Sequence, residues 1–174
     1  MLETKMKKAV CFTCLFLWAG MSSGQNCVAT IAESTPADRF ILNGDEVIDT
    51  RTQLIWKRCS LGQSGNNCET GSAGTYTWQQ ALEAAYTDPA DPGPQWRLPN
   101  LKELQSIFEQ SCSDPAVNLS VFPNTVSGWY WSASGSARNG GDAWAMNFNF
   151  GTTSHLPKNR SDFHVRLVRN TYYQ

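Results

Sequence analysis

The sequence is poor in histidine, in charge and in long apolar runs. Two histidines stand in 174 residues. A pair such as His155 and His164 is more often solvated or held by a neighbour than metal-bound. Charged residues make up 17% and the net charge is −1, which gives no reason to expect a nucleic-acid partner. The apolar run from Ala9 to Ala19 falls short of the roughly 20 residues that cross a bilayer. No Gly-X-Y tract, heptad, internal repeat or low-complexity stretch occurs, which excludes collagen-like and coiled-coil architectures. No serine sits in a nucleophile elbow, and no cysteine follows Cys112. No spacing assembles a nucleophile, a base and a charge stabiliser. The expectation is a protein that is not an enzyme, with no catalytic residue, cofactor or metal.

What the chain does have begins with an export pattern. Lys5, Lys7 and Lys8 precede the apolar run, and Ser22, Ser23 and Gly24 follow it. Basic, apolar and small residues in that order make a secretory signal peptide, residues 1–24, with cleavage expected after Gly24 and Gly20 as second choice. A retained membrane anchor is the competing reading, and the short run speaks against it. About 150 residues then remain, enough for one domain with a real core and no stable membrane span. Cys11 and Cys14 leave with the signal; Cys27, Cys59, Cys68 and Cys112 stay. An even count in an exported chain reads as two disulfides. Three pairings are possible. Cys59 and Cys68 flank a Gly/Ser/Asn-rich loop and are paired with each other, which leaves Cys27 for Cys112. None of these pairs has the short spacing of zinc ligands. The domain is expected to be secreted, periplasmic or on the cell surface.

Charge is uneven along the chain. Residues 25–123 hold six basic and twelve acidic side chains; residues 124–174 hold five basic (Arg138, Lys158, Arg160, Arg166, Arg169) and two acidic (Asp142, Asp162). A basic third on an otherwise acidic body can attract anionic polymers, or can be no more than a dipolar surface.

The chain organises around Trp96-Arg97-Leu98-Pro99-Asn100 and the helix after it. Pro99 biases Leu98 to an extended conformation. Asn100 is an N-cap and Glu103 completes a capping box. Leu101, Leu104, Ile107 and Phe108 share one face. Arg97 reads as a brace for a carboxylate or carbonyl, with ligand contact as the alternative. Upstream, residues 25–38 form an arm held by Cys27. Strands are expected at 39–42, 46–49 and 53–57, with Asn43-Gly44 turning the first pair. Residues 60–74 form a loop. Thr77 caps a helix whose Trp78, Ala81, Leu82 and Ala85 face the core. Asp88 to Pro94 is a breaker. Residues 113–125 form an ordered loop. After Ser127 come Trp129-Tyr130-Trp131, a loop at 135–141 carrying Arg138, an alternating half-buried strand at 142–150, a polar loop at 152–162, and a last strand at 163–169. The fold class is α+β, two helices packed on antiparallel strands and stapled by disulfides.

Five segments occur in an order that resembles a known family. They are Ile48-Asp49-Thr50-Arg51-Thr52-Gln53-Leu54-Ile55-Trp56-Lys57-Arg58-Cys59, Thr77-Trp78-Gln79-Gln80-Ala81, Trp96-Arg97-Leu98-Pro99-Asn100, Trp129-Tyr130-Trp131-Ser132-Ala133-Ser134 and Val165-Arg166-Leu167-Val168-Arg169. The set resembles the C-terminal domain of the Legionella collagen-like adhesin, over about 39–170. The resemblance implies a C-type-lectin-like fold, distantly similar to formylglycine-generating enzymes, and a role in attachment through sulfated polysaccharide. The late copper-binding cysteine pair of those enzymes has no counterpart here. Trp144-Ala145-Met146-Asn147 departs from the Trp-Asn-Asp run of calcium-dependent lectins, so calcium-dependent sugar binding is not expected.

The expectation is therefore a non-catalytic module for anionic or sulfated polysaccharide. Arg138, Lys158 and Arg160 would supply charge-assisted bonds to sulfate or carboxylate, and His155 would add charge at low pH. The alternative is a docking module for an envelope protein, using an exposed aromatic face at Trp129, Tyr130 and Trp131.

Overall fold

The computed structural model describes residues 24–86 and 96–171. Residues 1–23 of the expected signal peptide and the breaker at 88–94 lie outside the described residues. In chain order the elements are β1 (Asn26–Cys27), a 3-10 turn (Ala37–Arg39), β2 (Phe40–Asn43), β3 (Glu46–Asp49), β4 (Leu54–Lys57), β5 (Gln63–Ser64) and β6 (Thr70–Gly71). Then follow α1 (Trp78–Tyr86), α2 (Leu101–Ser106), β7 (Cys112–Ser113), β8 (Trp129–Gly135), β9 (Asp142–Asn147), β10 (Thr152–Pro157) and β11 (Val168–Asn170). The class is α+β. A four-stranded sheet runs β11-β4-β3-β2 and a three-stranded sheet runs β10-β9-β8, with small ribbons β1-β7 and β5-β6. All of these pairings are antiparallel.

Local sequence accounts for the four-stranded sheet. Gly44, at φ +62°, turns β2 into β3, a conformation that costs glycine little. Asp49 turns β3 into β4. Its buried carboxylate accepts from the Arg51 and Thr52 amides (3.0 and 3.4 Å) and the Thr52 hydroxyl (2.6 Å). It also pairs with Arg39, whose Nε lies 2.7 Å away. Burial alone would raise the Asp49 pKa; the bonds from Arg39 and Thr52 outweigh it and hold the carboxyl below its ordinary value.

Both helices start on their capping boxes. Thr77 N–H donates to Gln80 Oε1 at 2.8 Å and Gln80 N–H to Thr77 Oγ1 at 3.3 Å. Asn100 and Glu103 exchange the equivalent bonds at 2.9 and 2.8 Å. Arg97 braces the second box, its fork donating to both Glu103 oxygens at 2.7 and 2.8 Å. Leu104 and Ile107 are fully buried, each contributing about 1.5–3 kcal/mol of burial, whereas Leu101 and Phe108 are half-buried.

Two apolar clusters result. One joins Val47, Trp56, Leu104, Ile107, Phe122, Tyr130, Met146 and Phe148; the other joins Ala81, Trp96, Leu98, Trp131, Ala145, Phe163 and Val165. β9 contributes to both, Met146 to the first and Ala143 and Ala145 to the second. The strand is therefore covered on both faces at its far end, not on one face as its alternation suggests. Phe150 ends up 64% exposed.

Three further expectations need correction. Residues 152–157 form β10, an edge strand on β9, where a polar loop was expected. The last strand is short, Val168–Asn170. Residues 163–167 meet their neighbours through single bridges, Phe163 with Tyr76 and His164 with Tyr130. Phe163, Val165, Arg166, Leu167 and Val168 are all buried and only His164 is half-exposed, so the expected polar face at Arg166 and Val168 is in the core. Tyr130 and Trp131 are fully buried and only Trp129 is half-exposed, so the aromatic docking face does not exist as one surface.

Arg166 is the largest departure. It is fully buried, and among the described residues its bonds go to carbonyls and hydroxyls and not to a carboxylate. Its guanidinium donates to the carbonyls of Lys57 (3.0 Å) and Arg58, to Thr125 Oγ1 (2.8 Å) and Ser60 Oγ (3.3 Å), and lies 4.8 Å over the Phe122 ring. Burial brings its pKa down to about 10, against the raising influence of Tyr130. Disulfides join Cys27 to Cys112 and Cys59 to Cys68. The first fastens the N-terminal arm beside β7; the second closes the loop that carries β5 and β6.

Candidate binding site

The β8–β9 loop, the start of β9 and the end of β10 meet at one corner. Antiparallel register sets Asp142 opposite Pro157 and Trp144 opposite His155. Trp144 and His155 therefore share a face, with rings edge-on at 5.5 Å. His155 bridges two charges. Its Nδ1 lies 3.3 Å from Asp142 Oδ2 and its Nε2 lies 3.3 Å from Arg138 Nη1. The loop is held by Asn139, whose Oδ1 accepts from Gly141 N–H at 2.8 Å, and by Lys158, whose N–H donates to the Gly141 carbonyl at 2.9 Å.

Lys158 links this corner to α1. Its carbonyl accepts from Trp78 N–H at 3.0 Å, and its ammonium donates to the Gly140 carbonyl at 2.8 Å. The same ammonium stands 4.2 Å over the half-buried Trp78 ring, a contact worth about 0.5–1 kcal/mol near a surface. Trp78 is oriented by its own indole N–H, which donates to the Ser132 carbonyl at 2.8 Å.

Of the four cations expected at the site, Arg138, His155 and Lys158 are brought together around residues 138–141. Arg160 turns elsewhere. It forms a two-pronged pair with Asp162 (2.9 and 2.5 Å) and lies 5.4 Å from the Phe163 ring centre. The pair holds the Asp162 carboxyl below its ordinary value. The basic third is also thinner at the surface than its composition indicates. Arg166 is in the core, and Arg169 donates to both Glu46 oxygens at 2.9 and 2.8 Å. Sequence reasoning missed Asp142, Trp144 and Trp78 as members of the corner. The register of β9 on β10 would have shown them, but residues 152–157 carry no apolar alternation.

The corner offers two kinds of contact. Arg138 is exposed and Lys158 half-exposed, suited to anionic groups; Trp144 and Trp78 are half-exposed rings, suited to apolar faces. Among the described residues no three His, Cys, Asp or Glu side chains are placed to hold a metal ion. His164 stands apart from this corner, its Nδ1 3.0 Å from the Gly74 carbonyl and its ring 5.3 Å from that of Tyr130.

The Lcl C-terminal domain family model matches residues 45–169. That span runs from the turn before β3 through the corner to the start of β11. The chain belongs to the Lcl C-terminal domain family. No curated protein matches the chain. The two disulfides of this family member mark an extracellular or otherwise oxidising compartment. No helix among the described residues is long and apolar enough to cross a membrane.

Proposed function

We propose that this Lcl C-terminal domain is an exported, non-catalytic module that binds anionic or sulfated polysaccharide, and that its fold is C-type-lectin-like. The observation that carries the reading is the juxtaposition at the β9–β10 corner of Arg138, His155 and Lys158 with the half-exposed rings of Trp144 and Trp78. Guanidinium and ammonium groups bind sulfate and carboxylate by charge-assisted bonds. Tryptophan faces carry the apolar patches of a sugar ring, as they do other apolar surfaces. An exported module of this kind serves attachment outside the cytoplasm, at the cell surface or in the periplasm. The membership in the family supports this, since the resemblance of its segments is to an adhesin domain. Docking to an envelope protein is the second reading, favoured by the exposed apolar side chains Val28, Ile31 and Phe150.

Titration of heparin or fucoidan against the purified domain at low and high ionic strength tests the proposal. Binding should weaken steeply with salt, because exposed charges are screened within about 10 Å at 0.1 M. Binding that is absent or indifferent to salt overturns it. A protein captured from envelope extract whose binding is unchanged by added heparin favours the docking reading.

A further inference from the structure

We infer that His155 is a proton-operated latch on Arg138: protonation of the imidazole detaches the guanidinium and presents it to an anionic ligand. The inference rests on the anion-binding reading above and states how that site is regulated. A guanidinium has donors and no acceptor. With Arg138 Nη1 3.3 Å from His155 Nε2, the neutral ring must use Nε2 to accept, so the ring proton sits on Nδ1. From there it donates to Asp142 Oδ2 at 3.3 Å.

A second proton then has only Nε2 to go to. It converts the acceptor into a donor that points at another donor, and it sets an imidazolium against a guanidinium at contact distance. Asp142 holds the ring more tightly once the ring is charged, so Arg138 is the partner that leaves. Arg138 is exposed, and its side chain makes no other bond among the described residues. The groups that meet His155 are Arg138 from the β8–β9 loop and Asp142 and the uncharged Trp144 from β9; the nearest further cation along its own chain is Lys158, just past β10. The Lys158 ammonium is occupied by the Gly140 carbonyl and the Trp78 ring. The β9–β10 ladder fixes His155 opposite Trp144 and Pro157 opposite Asp142, so release needs only a side-chain rotation. Histidine is the side chain that ordinarily changes charge between about pH 5 and 8, and His164, whose Nδ1 meets the Gly74 carbonyl, is an internal control.

The test is nitrogen NMR of the histidine rings and arginine side chains of the intact domain from about pH 5 to 8. Neutral His155 should carry its proton on Nδ1, and the Arg138 resonance should move with the midpoint of the His155 ring. His155→Gln offers an acceptor to Arg138 and a donor to Asp142 together, and should abolish the Arg138 titration; His164→Gln should leave it intact. A proton on Nε2 of neutral His155, or an Arg138 resonance that is flat through the His155 transition, overturns the latch. In the ligand arm, heparin affinity should rise about three- to tenfold on acidification in the unaltered domain and less than about twofold in His155→Gln, the gain expected from one freed charge. Equal pH dependence in both overturns the latch as a regulator. Coupled titration without heparin binding at any pH supports the latch and removes the anion reading.

Discussion

Glu109 accepts two hydrogen bonds from Thr35, one from its amide and one from its hydroxyl, each 2.7 Å and spanning 74 positions of sequence. The same carboxylate takes the Ser34 amide at 3.1 Å and the amide and hydroxyl of Ser111 at 2.9 and 2.7 Å. It is 2% exposed, and among the described residues its partners are amides and hydroxyls. Burial would raise its pKa, but the donors of Ser111 and Thr35 win and bring it down to about 2. Together with Cys27–Cys112 it fastens the N-terminal arm to the end of the α2 segment.

Glu109 therefore sets an acid limit. Its folded pKa lies below the ordinary 4.5, so the stabilisation is complete above pH 4.5 and is lost as pH falls toward 2. Glu109→Gln should cost on the order of 2–3 kcal/mol at neutral pH. Urea unfolding at descending pH checks it: the gap between the unaltered domain and the variant should narrow below about pH 4.5. A gap that stays constant to pH 2 would show that the carboxylate charge is not what the arm depends on.

Arg166 gathers the ends of β4, the 59–68 loop and the 121–125 loop through the carbonyls of Lys57 and Arg58 and the hydroxyls of Ser60 and Thr125. Arg166→Met keeps the volume and removes every donor. It removes the guanidinium bonds to the Lys57 and Arg58 carbonyls and the Ser60 and Thr125 hydroxyls, and a lost bond to a charged group costs about 1.5–3 kcal/mol. Thermal unfolding should show a loss of about 3 kcal/mol or more. Arg166→Lys should rescue little, because one ammonium cannot span acceptors arranged for a fork. Full rescue by lysine would show that charge, not geometry, is what the core requires.

Gly151 turns β9 into β10 at φ +73°, and a Cβ there would sit 2.0 Å from the Phe108 ring. Phe108 is packed against the core cluster of Trp56 and Leu104, so the ring cannot simply swing away. Gly151→Ala should destabilise the domain by about 1–3 kcal/mol, from overpacking together with the left-handed backbone. Denaturant midpoints of Gly151→Ala and of the double variant with Phe108→Leu separate the two contributions. A smaller ring-free neighbour should recover the packing part and leave the backbone part.

Local chemistry made some of this architecture readable from sequence. The Asn100–Glu103 box, the Asn43-Gly44 turn and the Arg97 brace each depend on residues within six positions of one another, and each is present. The Cys59–Cys68 bridge followed from the loop it closes. What could not be read depends on distant partners. β10 reads Thr-Thr-Ser-His-Leu-Pro, and an edge strand with one neighbour needs no apolar alternation. The segment 163–168 alternates in sequence, yet all of it but the half-exposed His164 is buried, because Tyr76, β4 and β8 reach it from different sides. Of the candidate site, the cations were found from charge, but Trp144 and Asp142 join them only through the β9–β10 register.

The pairing of Arg160 with Asp162 makes a prediction opposite in sign to simple charge removal. Arg160 is exposed but its two-pronged bond already satisfies it, so an anionic ligand gains little from it. Arg160→Ala combined with Asp162→Asn removes the pair whole and should change heparin affinity by less than about twofold, since such a pair presents almost no net charge. Asp162→Asn removes the competitor and frees the guanidinium, and should raise affinity about two- to fivefold at low salt, with a steeper salt dependence. Lys158→Ala with Arg160→Ala should lower affinity chiefly through Lys158, which lies at the corner with Arg138. Isothermal titration at two ionic strengths resolves the three variants. If the paired Arg160→Ala, Asp162→Asn variant proves the most damaging of the three, the ligand contacts the 160–162 turn and not the β9–β10 corner.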